Sequence, residues 1–187
     1  RGLNLQKYTH YSLKLPSKTI VVTYMARRPS TQWPEKRFCD SKNSFFLCKL
    51  WEKFGIRPLQ RTIRNDVDVV NGLKSLEKIQ YKNGAKVIFN DRDYNLLSIR
   101  EQIKEDLRTD IMIGPHGAGL MHCVFLRNRG ILIELPIDGA AANRHFHNLA
   151  FWSGHRYIQG PDQNPVQMEA LKNLVINTIE SINLNAY

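Results

Sequence analysis

The sequence predicts an α/β fold in which a parallel sheet carries helices on both faces. Three observations lead to this prediction. Short apolar runs rich in β-branched residues recur along the chain, segments of helical period separate them, and this alternation repeats at least four times. A strand that is followed by a helix and another strand returns the chain to the same edge of the sheet, so neighbouring strands run parallel.

The first predicted strand is the β-branched run 19–24. Residues 1–18 before it are mixed and polar, and we interpret them as a connector or the tail of an upstream region. The domain itself is predicted to span residues 19–187. Residues 30–60 are irregular and indicate an insertion or a long loop, in which the apolar segment 45–54 could form a helix.

A first helix follows the insertion, because five apolar side chains recur at helical spacing: Val67, Val70, Leu73, Leu76 and Ile79. Asn65 or Asp66 is expected to cap its first turn. Residues 85–89 form the next predicted strand.

The following helix is predicted to begin at Ser98, because Glu101 stands three residues later in the pattern of a capping box. Ile99, Ile103 and Leu107 are expected to form its buried face.

The central predicted strand, 111–113, is a short apolar run typical of a strand covered on both faces. Gly114 and Pro115 are expected to end it. A glycine-rich turn then leads into the apolar helical segment 120–126. Four further elements follow: a strand at 130–135, a helix at 140–152, a strand at 155–158, and a closing helix at 166–182. Five side chains of the closing helix are expected to point inward: Met168, Leu171, Leu174, Val175 and Ile179.

A Rossmann-like arrangement of this kind binds ligands at the carboxyl ends of its strands. The glycine-rich turn lies at such an end. Gly117 and Gly119 carry no Cβ, so the backbone, with Ala118 between them, can approach a ligand closely. The free N–H groups where a helix begins are suited to phosphate. His116 stands at the same turn and can donate to an anion or exchange a proton. A turn required only for packing remains the alternative.

Arginines and a glutamate extend this candidate site. Arg27 and Arg28 directly follow the first strand, and a guanidinium matches phosphate oxygens; solvated surface charges are the alternative. Arg61 and Arg64 could join the same basic pocket or form structural salt bridges.

Glu134 ends a hydrophobic strand, where it could accept from ribose hydroxyls or pair with an arginine. Ser98 could contact a nucleoside, although its capping role is the stronger interpretation. His122 is expected to be a packed side chain, and His145 and His147 cannot both face the core.

Composition narrows the class of partner. The 187 residues carry a formal net charge of +10, which favours anionic ligands. The basic residues are spread along the chain without a dense run, so nucleic acid is a weaker expectation. The sequence shows neither a transmembrane run nor a signal peptide, and it starts at an arginine, which suggests a fragment or a processed form.

The three cysteines show no metal-binding spacing, and we expect no metal site. Cys39 and Cys48 could form a disulfide or remain free thiols, and Cys123 is expected to be a small buried hydrophobe. The G-x-G-x-x-G fingerprint and the Walker pattern are both absent, so dinucleotide enzymes and phosphate-loop NTPases are disfavoured.

Four sequence blocks resemble glycosyltransferase family 61, in the order that the family shows. Three of them are the strand that ends in Arg27 and Arg28, an Arg-x-Ile-x-Asn box at 61–65, and a Leu-Ser-x-x-Glu-Gln segment at 97–102. The fourth is the Gly-Pro-His-Gly-Ala-Gly-Leu block at 114–120, which is followed by the strand that contains Glu134. The resemblance covers roughly residues 19–158.

The resemblance implies the carboxyl-terminal, donor-binding half of a GT-B glycosyltransferase. Such an enzyme would be inverting and metal-independent, would use no cofactor, and would move GlcNAc, xylose or arabinose from a UDP-sugar to a protein or glycan hydroxyl. The family implies work in the Golgi or endoplasmic reticulum lumen and allows a membrane anchor upstream of this chain. Its binding residues would be Arg27, Arg28, Arg64, Ser98, His116, Gly117, Ala118, Gly119 and Glu134, with the catalytic base unassigned. A non-catalytic binding domain of the same fold and, less favoured, a basic nucleic-acid-binding protein are the alternatives.

Overall fold

A computed structural model of the chain describes residues 18–28, 62–137 and 142–184. Apart from Lys18, the predicted connector lies outside these residues, and so does the predicted insertion at 30–60 with its proposed helix. Cys39, Cys48 and Arg61 also lie outside them. The predictions for these segments and the proposed domain limits stay predictions.

The described residues form a five-stranded parallel sheet, which confirms the predicted α/β, Rossmann-like fold. The strand order is β2-β1-β3-β4-β5. The strands are β1 Thr19–Ala26, β2 Lys86–Asp93, β3 Ile111–Pro115, β4 Ile131–Leu135 and β5 Arg156–Gln159.

Within the ranges that the structure describes, four α-helices and three 3₁₀ helices connect and follow the strands. The α-helices are α1 Asp66–Lys74, α2 Ile99–Asp106, α3 His145–Trp152 and α4 Met168–Glu180. The 3₁₀ helices are Ser75–Lys78, Tyr94–Leu96 and Ala118–Phe125.

The sheet separates two apolar layers, because successive strand side chains point to opposite faces. Val22 and Ile113 belong to the layer beneath α1 and α4, whereas the neighbouring residue Met112 belongs to the other layer. That second layer packs against α3 and the 3₁₀ helix Ala118–Phe125. Both faces of the sheet are therefore covered, as the continuous apolar runs of the sequence predict.

The buried face of α1 differs from the prediction. Val67 is 70% exposed, and Val69 is fully buried in its place together with the correctly predicted Leu73 and Leu76. The helix does begin after Asn65, but this side chain makes no capping bond because it binds a distant loop instead.

The prediction for α2 was also partly wrong. Ile99 is 64% exposed, whereas Asp106 at the end of the helix is fully buried. Helical periodicity identifies the buried face of a helix from its apolar residues alone. It therefore does not identify a buried carboxylate that has hydrogen-bond partners. The capping box of Ser98 and Glu101 is confirmed.

The central strand is longer than predicted, because Gly114 and Pro115 continue it and pair with Glu134 and Leu135. The missing Pro115 N–H does not end the ladder, since the N–H of His116 still donates to Leu135 O at 2.9 Å. The apolar segment after the turn is a 3₁₀ rather than an α-helix. Other limits shift as well: β2 continues to Asp93, and α3 begins at His145, with residues 142–144 outside it.

Candidate functional site

The candidate site lies where the carboxyl ends of β1 and β3 meet. The chain leaves β1 towards β2 at one side and then crosses to β3 at the other side, so this is the switch point of the sheet. Arg27 follows β1 directly, and His116 and Gly117 follow β3 directly. The topology therefore brings together the block that ends in Arg27 and Arg28 and the block that contains His116, although Arg27 and His116 are 89 residues apart in the sequence.

Arg27 packs over Gly117. A Cβ added to Gly117 would lie only 2.5 Å from Arg27 Nη1, so a side chain at this position would displace the guanidinium. Arg27 is exposed, as are Ala118 and Gly119 beside it. A cation thus lies above the backbone of the glycine-rich turn and in reach of solvent, an arrangement suited to an anion.

The two glycines of the turn are not equivalent. A Cβ on Gly119 would meet the Met25 thioether at 2.8 Å, and this is the far end of a flexible side chain that can move away. The absence of a side chain at Gly117 is therefore required for the present position of Arg27, whereas a small side chain at Gly119 could be accommodated.

Arg28 is held in a different environment. Its Nε donates to Asp66 at 2.7 Å, and its Nη2 contacts both carboxylate oxygens of Asp91 at 2.9 Å. Asp66 also accepts from the Tyr24 hydroxyl at 2.8 Å. These contacts differ from a solvated surface charge, the alternative expected for Arg28, because its donors bridge α1 and β2.

The Arg-x-Ile-x-Asn box forms a clamp between two loops. The Asn65 side chain donates to Val166 O at 2.9 Å and accepts from Val166 N at 2.8 Å. Asn164 in turn donates to Thr62 O and accepts from Arg64 N, both at 2.9 Å. Ile63 is buried, and Arg64 is exposed. The box therefore fixes its own backbone and leaves the Arg64 side chain at the surface.

Glu134 is fully buried, and within the described residues its hydrogen bonds go to a histidine and a tyrosine rather than to an arginine, while the contact to ribose stays a prediction. One oxygen contacts His116 Nδ1, and the other accepts from the Tyr157 hydroxyl at 2.8 Å. The His116 side chain is only 5% exposed and packs edge-on against Phe146, with ring centroids 5.1 Å apart. Burial and the adjacent Glu134 carboxylate raise the pKa of Tyr157, so its hydroxyl stays a donor.

Ser98 is engaged in its capping box. Its hydroxyl donates to Glu101 Oε2 at 2.6 Å, and its backbone N–H donates to the same oxygen at 2.8 Å. Gln102 binds the backbone carbonyls of Tyr94 and Leu97. The Leu-Ser-x-x-Glu-Gln segment thus builds the start of α2.

A second histidine–carboxylate–tyrosine cluster was missed by sequence reasoning. His122 Nδ1 lies 2.6 Å from Asp106, which also accepts from the Tyr94 hydroxyl at 2.5 Å. Burial raises the pKa of Asp106, although the hydrogen bonds from His122 and Tyr94 oppose this rise. The expectation that His122 is packed is confirmed, since its side chain is 16% exposed.

The remaining candidates lie at the edge of this arrangement. His145 is exposed, while His147 is half-buried and packs edge-on against Tyr157. Cys123 is buried as expected, and burial followed by the Asp106 charge raises the pKa of its thiol to about 11. No helix within the described ranges is long and apolar enough to cross a membrane.

A comparison with known protein families matches a range of this chain that contains part of the candidate site. Residues 54–133 match the sequence profile of the family described as Glycosyltransferase 61. This range contains Arg64, Ser98 and the turn at 116–119; Arg27, Arg28 and Glu134 lie outside it.

Three curated relatives share the name EGF domain-specific O-linked N-acetylglucosamine transferase. The Gallus gallus protein is 34% identical over 106 residues, which are 57% of this chain and 18% of the relative. The Bos taurus protein is 35% identical over 106 residues, or 57% of this chain and 19% of the relative. The Mus musculus protein is 36% identical over 98 residues, or 52% and 17%. The matched part thus spans about a fifth of these relatives, and both comparisons confirm that this chain resembles the glycosyltransferases of family 61.

Proposed function

We propose that the chain forms the nucleotide-sugar-binding part of an inverting, metal-independent GT-B glycosyltransferase. The observation that carries this proposal is the switch point, where Arg27 lies over Gly117 beside the exposed backbone of the glycine-rich turn. The donor is a UDP-sugar, with its diphosphate at this turn. The resemblance to named glycosyltransferases supports the same reaction class.

The chemistry requires stabilisation of a leaving group. As the sugar departs, negative charge develops on the diphosphate, and preorganised donors aimed at this charge lower the barrier. A guanidinium and backbone N–H groups can provide this stabilisation without a divalent cation. Arg27 and the N–H groups of the turn are the groups in this chain that we assign to it.

Inversion requires one further group, a base that takes the proton from the acceptor hydroxyl as the hydroxyl attacks the sugar. We assign this base to an acceptor-binding half of the enzyme, outside this chain. Arg64 is kept as a second candidate phosphate contact, since its side chain is exposed beside the Asn65 clamp.

The names of the relatives support a proposal for the sugar and the acceptor. Their names specify transfer of N-acetylglucosamine to EGF domains, so we propose UDP-GlcNAc as donor and an EGF-domain hydroxyl as acceptor, in the lumen of the secretory pathway. Xylose and arabinose are the competing sugars. An assay for UDP release by the full-length enzyme that contains this chain, with a folded EGF domain as acceptor, should show higher turnover with UDP-GlcNAc than with UDP-xylose or UDP-arabinose.

Nucleotide binding tests the proposal most directly. Titration calorimetry of the 187-residue chain with UDP, in the presence of EDTA, should give measurable heat. Affinity should fall from UDP to UMP to uridine, because each step removes a phosphate from the turn. If millimolar UDP gives neither heat nor a thermal shift, the proposed donor site is wrong.

A further inference from the structure

Glu134 is an unusual residue for its position. It is fully exposed to the apolar layer of Met112, Leu132 and Phe146 and has no access to solvent. A buried carboxylate costs several kcal/mol in desolvation unless partners compensate. Replacement of such a group by an apolar residue is often neutral for stability, so stability alone does not explain why a carboxylate stands here.

The two partners of Glu134 determine what it can do. The Tyr157 hydroxyl retains its proton and therefore donates to one carboxylate oxygen. The other oxygen contacts His116 Nδ1. An ionised carboxylate offers only hydrogen-bond acceptors. Glu134 is then an acceptor towards both neighbours, and the proton of the second contact lies on His116 Nδ1.

This contact sets the tautomer and orientation of the imidazole. The hydrogen bond at Nδ1 determines whether Nε2 carries a proton in the neutral ring. Nε2 lies on the other side of the ring and points away from Glu134. Phe146 packs edge-on against the ring and limits its rotation. His116 is also the residue directly before Gly117, over which the Arg27 guanidinium lies.

We infer that Glu134 and Tyr157 are positioning residues, which hold His116 so that its Nε2 serves the leaving diphosphate at the adjoining turn. This inference rests on the proposed function. In the proposed complex both ring nitrogens carry a proton, so that Nδ1–H donates to Glu134 and Nε2–H donates to a phosphate oxygen. Glu134 therefore acts through His116 and does not touch the nucleotide.

The test compares the wild-type chain with Glu134→Gln, which keeps the side-chain size and removes the charge, and with Tyr157→Phe, which removes one donor to the carboxylate. Two quantities are measured: the affinities for UDP and uridine, and the His116 tautomer from long-range ¹H–¹⁵N correlation spectra, assigned by the loss of signals in His116→Asn. We expect Glu134→Gln to weaken UDP binding roughly tenfold with uridine unchanged, and to lower the fraction of the Nδ1–H tautomer, because the amide offers His116 a donor as well as an acceptor. Tyr157→Phe should weaken UDP binding roughly threefold.

Asp106→Asn is the matched control, because it removes the carboxylate from the other histidine–carboxylate–tyrosine cluster. It should leave both UDP affinity and the His116 tautomer unchanged. A folded Glu134→Gln variant with wild-type UDP affinity and unchanged His116 signals would overturn the inference. If this variant does not fold, Tyr157→Phe decides by the same two measurements. Absence of UDP binding by the wild-type chain would instead overturn the proposed function, and the diphosphate role of His116 with it.

Discussion

Arg27 and Arg28 follow the same strand but have different environments, and this difference predicts different mutant effects. Arg27→Ala removes a cation beside the glycine-rich turn. It should weaken UDP binding by roughly 1.5–3 kcal/mol, the range for a hydrogen bond to a charged group, with little effect on unfolding. Arg28→Ala breaks the contacts to Asp66 and Asp91 and should lower the free energy of unfolding by about 1 kcal/mol, since its side chain is 36% exposed.

Calorimetry with UDP and chemical denaturation of the same samples separate these two effects. Uridine is the ligand control, because it lacks the phosphates that Arg27 would contact. Arg27→Lys should recover only part of the affinity, since lysine supplies the charge without the planar fork. The assignment would be wrong if Arg28→Ala lost UDP affinity at full stability, or if Arg27→Ala weakened UDP and uridine equally.

Gly117 offers an independent test of the same geometry. Gly117→Ala places a Cβ where Arg27 Nη1 now lies, so the guanidinium must move away. We expect a loss of UDP affinity similar to that of Arg27→Ala, and little further loss in the double variant, because both changes remove the same contact. Gly119→Ala is the control, since the Met25 thioether can yield to the new methyl group. Additive losses in the double variant would contradict a shared role.

At the scale of elements, the clamp between the 62–65 loop and the 164–166 loop is predicted to contribute stability. Asn65→Ala removes both bonds to Val166 and leaves the N–H and carbonyl of that residue without this partner. The free energy of unfolding should fall by about 1–3 kcal/mol, as measured by denaturant titration. Asn95→Ala serves as control, because that exposed side chain bonds only locally to Asp93 and its loss should cost less than about 0.5 kcal/mol. If both variants lost the same free energy of unfolding, the clamp would contribute no more stability than a local surface contact.

Sequence period predicted the existence of most elements, but it did not predict their polar contacts. Strands and helices follow from local spacing, and the capping box of Ser98 is a local pattern too. By contrast, Arg28 and Asp91 are 63 residues apart, and His122 and Asp106 are separated by a strand and a turn. Such pairs depend on how the sheet brings elements together, so no pattern within one segment indicates them.

At the scale of the whole molecule, the rule for parallel sheets predicts a site at the carboxyl ends of the strands, and the structure brings Arg27 and the glycine-rich turn together there. The rule could not decide which polar residue faces the ligand and which supports the fold. The sequence could not distinguish Arg27 from Arg28, and it left Glu134 open between a contact to ribose and a pair with an arginine. The structure distinguishes them through burial and partners, which are properties of the assembled sheet.

Asp110 gives a prediction for the whole molecule, the dependence of its stability on pH. This carboxylate is 3% exposed, accepts from Val21 N at 2.8 Å and pairs with Arg127 at 3.1 Å. Burial raises its pKa, although the Val21 hydrogen bond and the Arg127 charge oppose the rise. The folded state therefore keeps the proton to a higher pH than the unfolded chain does. The contribution of Asp110 to the free energy of unfolding is largest below about pH 4, the ordinary Asp range, and decreases as the pH rises through the raised pKa.

Asp110→Asn removes this titration while the amide oxygen can still accept from Val21 N. The free energy of unfolding of the wild type, minus that of the variant, should accordingly be largest in acid, decrease above about pH 4, and level off once Asp110 is ionised in both states. Denaturant titrations at a series of pH values measure this difference, and other carboxylates cancel in it. The exposed Asp162 provides the control Asp162→Asn, which should change stability little at any pH. A difference that grows with pH would mean that the Val21 and Arg127 contacts outweigh burial, because the sign of the slope reports which of these effects is larger.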